Sequence, residues 1–428
     1  MLVHTALAIS NYIITFEFSM VDVPLHIGSQ KLDLKLTDGK LVQGRREATP
    51  SRLGDVRLAT AASLETPIEF PALRLALTPD DHLTILVHEQ MNGLVEVLEE
   101  VFKHVLSAGV QMNQITLLLH ALQPGATREW PERLHEKYAG FKLEEHQLDQ
   151  TKLAYLASTQ GGRRIYLNRH IVDADQLIII GNVRFDPIFG VSSGLADLFP
   201  WFSDAPTREE LTRHLHDTVY LKDRPFPIWK ETEEVGWQLG LPFVVCVVEG
   251  TGETVTQVVA GSAGPVRQQA ETLLRKYNTI QMPYQVDLVV GTLVGSARQQ
   301  SFTQVTEALF RASRGVHQGG NVAILSEAGG LLPPGADIVS QAESAVAGLT
   351  FLRQHPNIAR LPWWYLARSL EQSKVYLSSR FLQEVTESMF MVPLDEPRQV
   401  QNLIDQAKSV MIVEGIDRCL LELARPKH

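Results

Sequence analysis

The sequence predicts an α/β protein of two domains, each a mixed or parallel sheet flanked by helices, with an active-site cleft between them. Three observations support this class. Short apolar runs alternate with segments of helical spacing over most of the chain, which is typical of sheets covered by helices. The chain has 428 residues, too many for one ordinary core. A second series of strand and helix signals begins near residue 280.

The first predicted domain covers residues 1–262. Its first 75 residues are expected to be β-rich, with a hairpin at 31–42, where apolar and polar residues alternate around an Asp-Gly pair. Apolar runs predict strands, and the spacing of apolar residues predicts helices between them. The predicted strands are 83–89, 115–122, 175–180, 242–249 and 254–261, and the predicted helices are 93–110, 130–140, 207–217 and 225–240. A further predicted helix, 264–277, falls in the connection to the second domain.

The second predicted domain covers residues 280–428, and a linker or helix at about 261–284 joins the two. Residues 284–296 read as a strand with a glycine-bearing turn, and residues 303–316 read as a helix. Further strands are predicted at 319–330, 373–379 and 408–415, with a helix at 400–408.

Composition excludes several classes of protein. Hydrophobic residues make up 44% and charged residues 21%, which are values of a globular chain. The net charge is −10 without a basic run, so we expect no nucleic-acid partner, and no stretch is apolar enough to cross a membrane. Only Cys246 and Cys419 are present, which fits a reducing compartment and a cytoplasmic location. The amino terminus lacks a basic segment and a cleavage site, so we interpret it as strand rather than signal peptide.

Residues 181–200, GNVRFDPIFGVSSGLADLFP, form the first candidate site. They follow a predicted buried strand, and loops at the carboxyl ends of such strands hold ligands in open α/β sheets. Ser192, Ser193 and Gly194 offer hydroxyl and backbone N–H groups to an anion. The alternative is a compact turn without a ligand.

Histidines form the second group of candidates, since fourteen are present. His88 and His120 end apolar strands, where catalytic groups gather but where strands also simply leave the core. His214 and His216 lie two apart on a predicted helix and point to different faces, so they are not expected to share a metal. Asp186 follows the strand at 176–180 with Arg184 nearby, and it is either a site acid or half of a surface ion pair.

Taken in order, these segments resemble the nickel-dependent lactate racemase family. In that family a strand leads into Glu-Pro-His, a loop of small residues, Ser-Gly-Gly-Arg-Lys and Leu-Pro. Residues 184–200 have this layout, with Ser192 to Gly194 on Ser-Gly-Gly and Phe199–Pro200 on Leu-Pro. Residues 226–248 are similar to the family's Asn-Pro-Ile-His-Lys helix and the strand after it. Residues 295–300, GSARQQ, are similar to its Gly-Tyr-Pro-Leu-Asp-Gln turn.

The resemblance implies a specific chemistry. These enzymes hold nickel in a pyridinium mononucleotide that is tethered to a Lys as a thioamide, and a His completes the metal site. A hydride passes from the α carbon of the substrate to the cofactor and back. Two His residues exchange the hydroxyl proton, since inverting a stereocentre requires an acid or base on each face.

The residues depart from the family pattern at the positions that carry this chemistry. The tethering Lys falls on Ala196, and no Lys occurs from residue 153 to 221. The His of Glu-Pro-His falls on Asp186. The first catalytic His falls near Gln123, with His120 three residues away. The resemblance places the metal-ligand His at His216.

Further positions follow from the same resemblance. The substrate-binding Arg falls on Asn92, Glu89 keeps an acidic position, and Gln299 and Gln300 fall on the carboxy-terminal turn. We therefore expect either a divergent racemase or a catalytically silent relative. The racemase would act on a small 2-hydroxy acid or a related sugar acid, and any nickel and pyridinium mononucleotide would bind noncovalently. The silent relative would bind a small molecule or a partner and need no cofactor.

Overall fold

The computed structural model describes residues 3–9, 12–18, 20–28, 30–121, 128–212, 226–250, 252–295, 300–355 and 358–424. The strands in these ranges are β1 (Val3–Ile9), β2 (Tyr12–Phe18), β3 (Met20–Ile27), β4 (Gln30–Thr37), β5 (Leu83–Val87), β6 (Ile115–His120), β7 (Lys142–His146), β8 (Leu153–Ser158), β9 (Arg164–Asn168), β10 (Gln176–Asn182), β11 (Arg184–Asp186), β12 (Gly190–Ser192), β13 (Phe243–Glu249), β14 (Val255–Ser262), β15 (Thr279–Met282), β16 (Val286–Thr292), β17 (Val316–Leu325), β18 (Ser373–Ser378), β19 (Val392–Pro393), β20 (Val410–Val413) and β21 (Leu420–Leu423).

The α-helices in the same ranges alternate with these strands. They are α1 (Val56–Glu65), α2 (Leu94–Ser107), α3 (Trp130–His135), α4 (Arg169–Val172), α5 (Leu195–Leu198), α6 (Ala205–Thr212), α7 (Ile228–Gln238), α8 (Ala263–Asn278), α9 (Phe302–Ser313), α10 (Ala336–Ser340), α11 (Ala345–Leu352), α12 (Leu361–Gln372), α13 (Gln383–Ser388) and α14 (Val400–Gln406). The predicted α/β class, with parallel and mixed sheets flanked by helices, is confirmed.

The chain divides into two compact units. Unit 1 consists of residues 1–48 and 278–428, and unit 2 consists of residues 49–277. This division differs from the expected first domain of residues 1–262, because the first 48 residues group with the carboxy-terminal part of the chain. It places the junction at residues 277 and 278, within the expected linker at 261–284.

Unit 2 is built on a six-stranded sheet in the order β14-β13-β10-β5-β6-β7. Adjacent strands of this sheet are parallel, except for the antiparallel pair β13–β14. Every residue of β5 and β13 is buried, as expected for apolar strands inside a sheet with both faces covered. The parallel strands β10, β5, β6 and β7 therefore end at one edge of the sheet, which we call the carboxyl edge.

Unit 1 contains a five-stranded parallel sheet in the order β19-β18-β17-β16-β20. The antiparallel hairpin β3–β4 buries one apolar face against it, with Leu25 and Leu36 in the same core as Leu288 and Val290. This burial explains why the amino-terminal residues belong to unit 1.

The hairpin predicted around Asp38-Gly39 is wrong. Those residues form a 3₁₀ turn, and β4 pairs with the preceding strand β3. The pairing begins at Ile27 and Gln30, next to Gly28, which has a φ of +56°. The alternating residues 31–37, which we assigned to the first arm of a hairpin, therefore belong to β4, the second arm of the hairpin β3–β4.

Within the described ranges, no helix combines the length and the apolar character needed to cross a bilayer.

Candidate functional site at the carboxyl edge of unit 2

Three histidines lie at the carboxyl edge of the unit 2 sheet. His88 follows β5, His120 ends β6 and His146 ends β7. The register of the parallel pair β6–β7 places His120 directly beside His146. Because the carboxyl ends of parallel strands meet at one edge, residues far apart in the sequence are collected there.

Burial keeps these histidines neutral near pH 7. It is the largest cause that lowers the pKa of His120 from 6.5 to about 3 and that of His146 to about 4, and the positive charge of Arg208 is the second cause for both. Burial also holds the pKa of His88 well below 6.5, with smaller effects of Arg184 and His120. A neutral imidazole can accept a hydrogen bond at one nitrogen and donate one from the other, so these side chains can bind a hydroxyl group.

Aromatic packing and one amide fix the orientation of His146. The ring of Phe202 lies 4.3 Å from the ring of His120 and 5.2 Å from that of His146, centroid to centroid. Asn168 Oδ1 accepts a hydrogen bond from the His170 N–H at 3.0 Å, so the amide nitrogen Nδ2 faces His146 Nδ1, at 3.3 Å.

The low pKa values predict a loss of stability in mild acid. The folded-state pKa of His120 and of His146 lies below 6.5, so between these values the unfolded chain binds more protons. The stabilisation is fully present above pH 6.5 and is lost as the pH falls toward 4 and 3. We expect the free energy of unfolding to be lower at pH 5 than at pH 7.5 by about 1–2 kcal/mol for each histidine, measured by urea denaturation.

Matched variants separate this effect from the titration of other groups. His120→Gln should reduce the difference between the free energies of unfolding at pH 7.5 and pH 5. His135→Gln should leave it unchanged, because His135 is exposed at the end of α3. A His120→Gln variant with the full pH dependence of the parent protein would contradict the assignment.

A buried ion pair connects the strand β11 to the helix α5. Arg184 Nη1 donates to Asp197 Oδ1 at 2.7 Å, and the carboxylate is 0% exposed. Burial raises the pKa of Asp197, and Arg184 opposes this effect. The other oxygen, Oδ2, has no hydrogen-bond partner among the described residues. Gly181 leaves space for it, since a Cβ at that position would lie 2.6 Å from Oδ2.

The loop that the sequence singled out is a tight hairpin, β11–β12, followed by α5. Asp186 Oδ1 accepts hydrogen bonds from the backbone N–H groups of Ile188 at 2.7 Å and Phe189 at 2.9 Å, so this oxygen shapes the turn. Ser192 and Ser193 are buried, and Ser192 Oγ has no partner among the described residues. Gly194 adopts a φ of +56° before α5, where a larger residue would be strained.

Glu89 is tied to the end of β6 through Arg128. Its Oε1 accepts from Arg128 Nε at 2.5 Å and from Trp130 Nε1 at 2.9 Å. Arg128 also pairs with Glu145 and donates from Nη2 to the carbonyl oxygen of His120 at 2.5 Å. Glu89 thus supports, through Arg128, the strand end that carries His120.

Asn92 and Gln300 lie in different units. The Asn92 N–H donates to Glu249 Oε1 at 2.6 Å, and the same carboxylate accepts from Asn182 Nδ2 at 2.7 Å, which ties the loop after β5 to the ends of β10 and β13. Asn92 Nδ2 is buried and has no partner among the described residues. Gln300, in unit 1, donates to the Gly295 carbonyl at 2.7 Å and accepts from the Glu327 N–H at 2.8 Å.

Three predicted site residues, Gln123, His216 and Gln299, lie outside the described residues. Within the described ranges, no three His, Cys, Asp or Glu side chains are grouped so that they could hold a metal ion. Glu89, Asn92, His120, Asp186 and the segment 192–194 all belong to unit 2.

Sequence reasoning missed His146, Asp197, Phe202 and Arg208. His146 ends the strand KLEEH, whose polar composition hides a strand, so periodicity offered no signal. Asp197 could have been found from the sequence, because a carboxylate within the apolar segment LADLFP is unusual and implies a buried partner.

Solved structures share this architecture. The lactate racemase apoprotein from Thermoanaerobacterium thermosaccharolyticum is 16% identical, with a TM-score of 0.73 over 94% of this chain and 100% of that chain. A protein from Thermotoga maritima is 14% identical, with a TM-score of 0.63 over 86% of this chain and 97% of that chain. At such identities the likeness shows the fold.

The fold therefore defines an α/β protein with the architecture of a lactate racemase. Residues 27–219, which include the hairpin β11–β12 and all three histidines, match the family model described as the lactate racemase N-terminal domain. The match to this family model covers residues 27–219, and the likeness to the solved structures extends over the fold of the chain. A comparison with curated proteins finds no match.

Proposed function

We propose that this chain binds a small 2-hydroxy acid or a related sugar acid at the carboxyl edge of unit 2 and acts on it as an isomerase without a covalently tethered cofactor. The observation that carries the proposal is the neutral pair His120 and His146 close to the positive charge of Arg208. A guanidinium recognises a carboxylate, and a neutral imidazole exchanges the proton of a hydroxyl group. A 2-hydroxy acid carries both groups on adjacent carbons.

The tethered form of the family cofactor does not fit this chain. Ala196 stands at the tethering position, it is fully buried in α5, and residues 153–221 contain no Lys. A methyl group forms no thioamide. Any nickel and pyridinium mononucleotide would therefore bind noncovalently, with His216 as the proposed metal ligand and the segment 192–194 beside the nucleotide.

The second candidate is a catalytically silent relative that binds a small molecule or a partner. The observation that favours it is the role of Asp186, which stands where the family has a catalytic His. Its Oδ1 already accepts two backbone hydrogen bonds within the turn, which suits a structural residue. Loss of the tether and of this His together points the same way.

Two measurements distinguish these functions. The protein would be expressed with and without the cofactor-making enzymes and analysed by intact mass and for nickel. It would then be incubated with one enantiomer of lactate and of related 2-hydroxy acids, and formation of the opposite enantiomer would be followed by chiral chromatography. We expect an unchanged intact mass, binding of a 2-hydroxy acid and formation of its opposite enantiomer.

The variants His120→Gln and His135→Gln provide the control. The first should racemise about a hundredfold more slowly or worse, because an acid–base group contributes that much to a rate. The second should retain the racemisation rate, since His135 is exposed on α3. Binding without racemisation would favour the silent relative, and a mass increase equal to a nucleotide would overturn the untethered site.

A further inference from the structure

Several buried polar atoms at the carboxyl edge lack hydrogen-bond partners among the described residues. Three of them are Asp197 Oδ2, Ser192 Oγ and His88 Nδ1, and His146 Nε2 and Asn92 Nδ2 are two more. Asp197 is 1% exposed and Ser192 is 0% exposed, so neither side chain is open to bulk solvent. Buried polar groups are nearly always paired in folded proteins, so three unpaired atoms in one region call for a bound group that pairs with them.

The three side chains are connected through Arg184 and Gly181. Arg184 Nη1 donates to Asp197 Oδ1 at 2.7 Å, and Arg184 stands directly opposite Ser192 in the hairpin β11–β12, so both side chains lie on one face of it. A Cβ built on Gly181 would lie 2.6 Å from Asp197 Oδ2 and 3.4 Å from the Cβ of His88. Asp197 and His88 therefore flank the same side of Gly181.

The charges in this group select the ligand chemistry. A cationic ligand would meet the guanidinium of Arg184, and a second carboxylate would meet Asp197. A hydroxyl group avoids both conflicts, because it can donate to Asp197 Oδ2 while it accepts from Ser192 Oγ or His88.

We propose that Asp197, Ser192 and His88 form a hydroxyl-binding subsite, so that the acid bound here carries at least one hydroxyl group beyond the one on its α carbon. This inference rests on the proposed function, since it describes a second part of the same ligand. It identifies the substrate class as polyhydroxy acids rather than simple 2-hydroxy acids such as lactate.

Glycerate and lactate test the inference as a matched pair, because they differ only by a hydroxyl group on the third carbon. Isothermal titration calorimetry on the intact protein should give an affinity for glycerate that exceeds the affinity for lactate by about tenfold or more, since an unmade buried hydrogen bond costs at least that much. The variant Ser192→Ala should reduce this preference several-fold.

Ser369→Ala is the control. Ser369 is also 0% exposed, but its hydroxyl donates to the Tyr365 carbonyl within α12, at 2.7 Å, so its removal should not change the preference. Equal affinities of the parent protein for glycerate and lactate would overturn the subsite and leave the proposed function standing, because water then fills the space. Absence of binding for both acids would overturn the proposed function and the subsite together. The comparison in the parent protein remains decisive even where a variant does not fold.

Discussion

Replacing Arg184 with alanine is expected to lower the free energy of unfolding by about 3–5 kcal/mol, because it leaves a buried carboxylate without its counter-ion. The side chain of Arg184 is 28% exposed, whereas that of Asp197 is 0% exposed, so the carboxylate cannot recover its hydration when the guanidinium is removed. Burial already raises the pKa of Asp197. The variant should raise it further, and the loss should be smaller at pH 5 than at pH 8 because protonation removes the unpaired charge.

Urea denaturation of four proteins measures this coupling. The double variant Arg184→Ala/Asp197→Ala should be more stable than Arg184→Ala, since neither charge is then buried alone. Arg74→Ala should cost less than about 1 kcal/mol, because the partner of Arg74 is the exposed Glu65. A double variant less stable than Arg184→Ala would show that Arg184 contributes by packing rather than by charge.

Replacing Phe202 with alanine is expected to cost about 3–5 kcal/mol and to change the titration of two histidines. The Phe202 side chain is 0% exposed, and its ring contacts His120 and His146. Its removal opens a cavity beside both imidazoles and admits water. The pKa of each should then rise toward 6.5, because burial is the largest cause of the low values.

Histidine ring resonances in NMR spectra, followed against pH, measure the second effect, and urea denaturation measures the first. Phe102→Ala is the matched control, since Phe102 is equally buried but packs against Tyr138 and Phe141. Phe102→Ala should lower the free energy of unfolding by a similar amount without changing the pKa of His120 or His146. Unchanged histidine pKa values in Phe202→Ala would show that this ring does not keep water from the site.

Most of the correct predictions for unit 2 came from its apolar runs. Residues 83–89 and 175–180 predicted β5 and β10 because strands buried on both faces need an uninterrupted apolar sequence. The same pattern placed His88 and His120 at strand ends, which the structure confirms. Patterning failed for β7, because a polar strand does not differ locally from a loop.

The periodicity of apolar residues could not predict which distant strands or side chains pair with each other. The hairpin β3–β4 was predicted one strand too late, because an Asp-Gly pair signals a turn but not which strands it joins. Asp186 and Arg184 were considered as partners because they are neighbours in the sequence. Arg184 instead donates to Asp197, thirteen residues away, since α5 turns that carboxylate back toward β11.

The sequence by itself determined the α/β class, the strands of the unit 2 core and the absence of Lys from residues 153–221, because these depend on local composition and spacing. Only the tertiary structure decided that residues 1–48 belong with residues 278–428, that His146 lies beside His120 and that Asp197 pairs with Arg184. The physical reason is that such contacts depend on sheet order and on the burial of one face against another, and neither is encoded in any short segment.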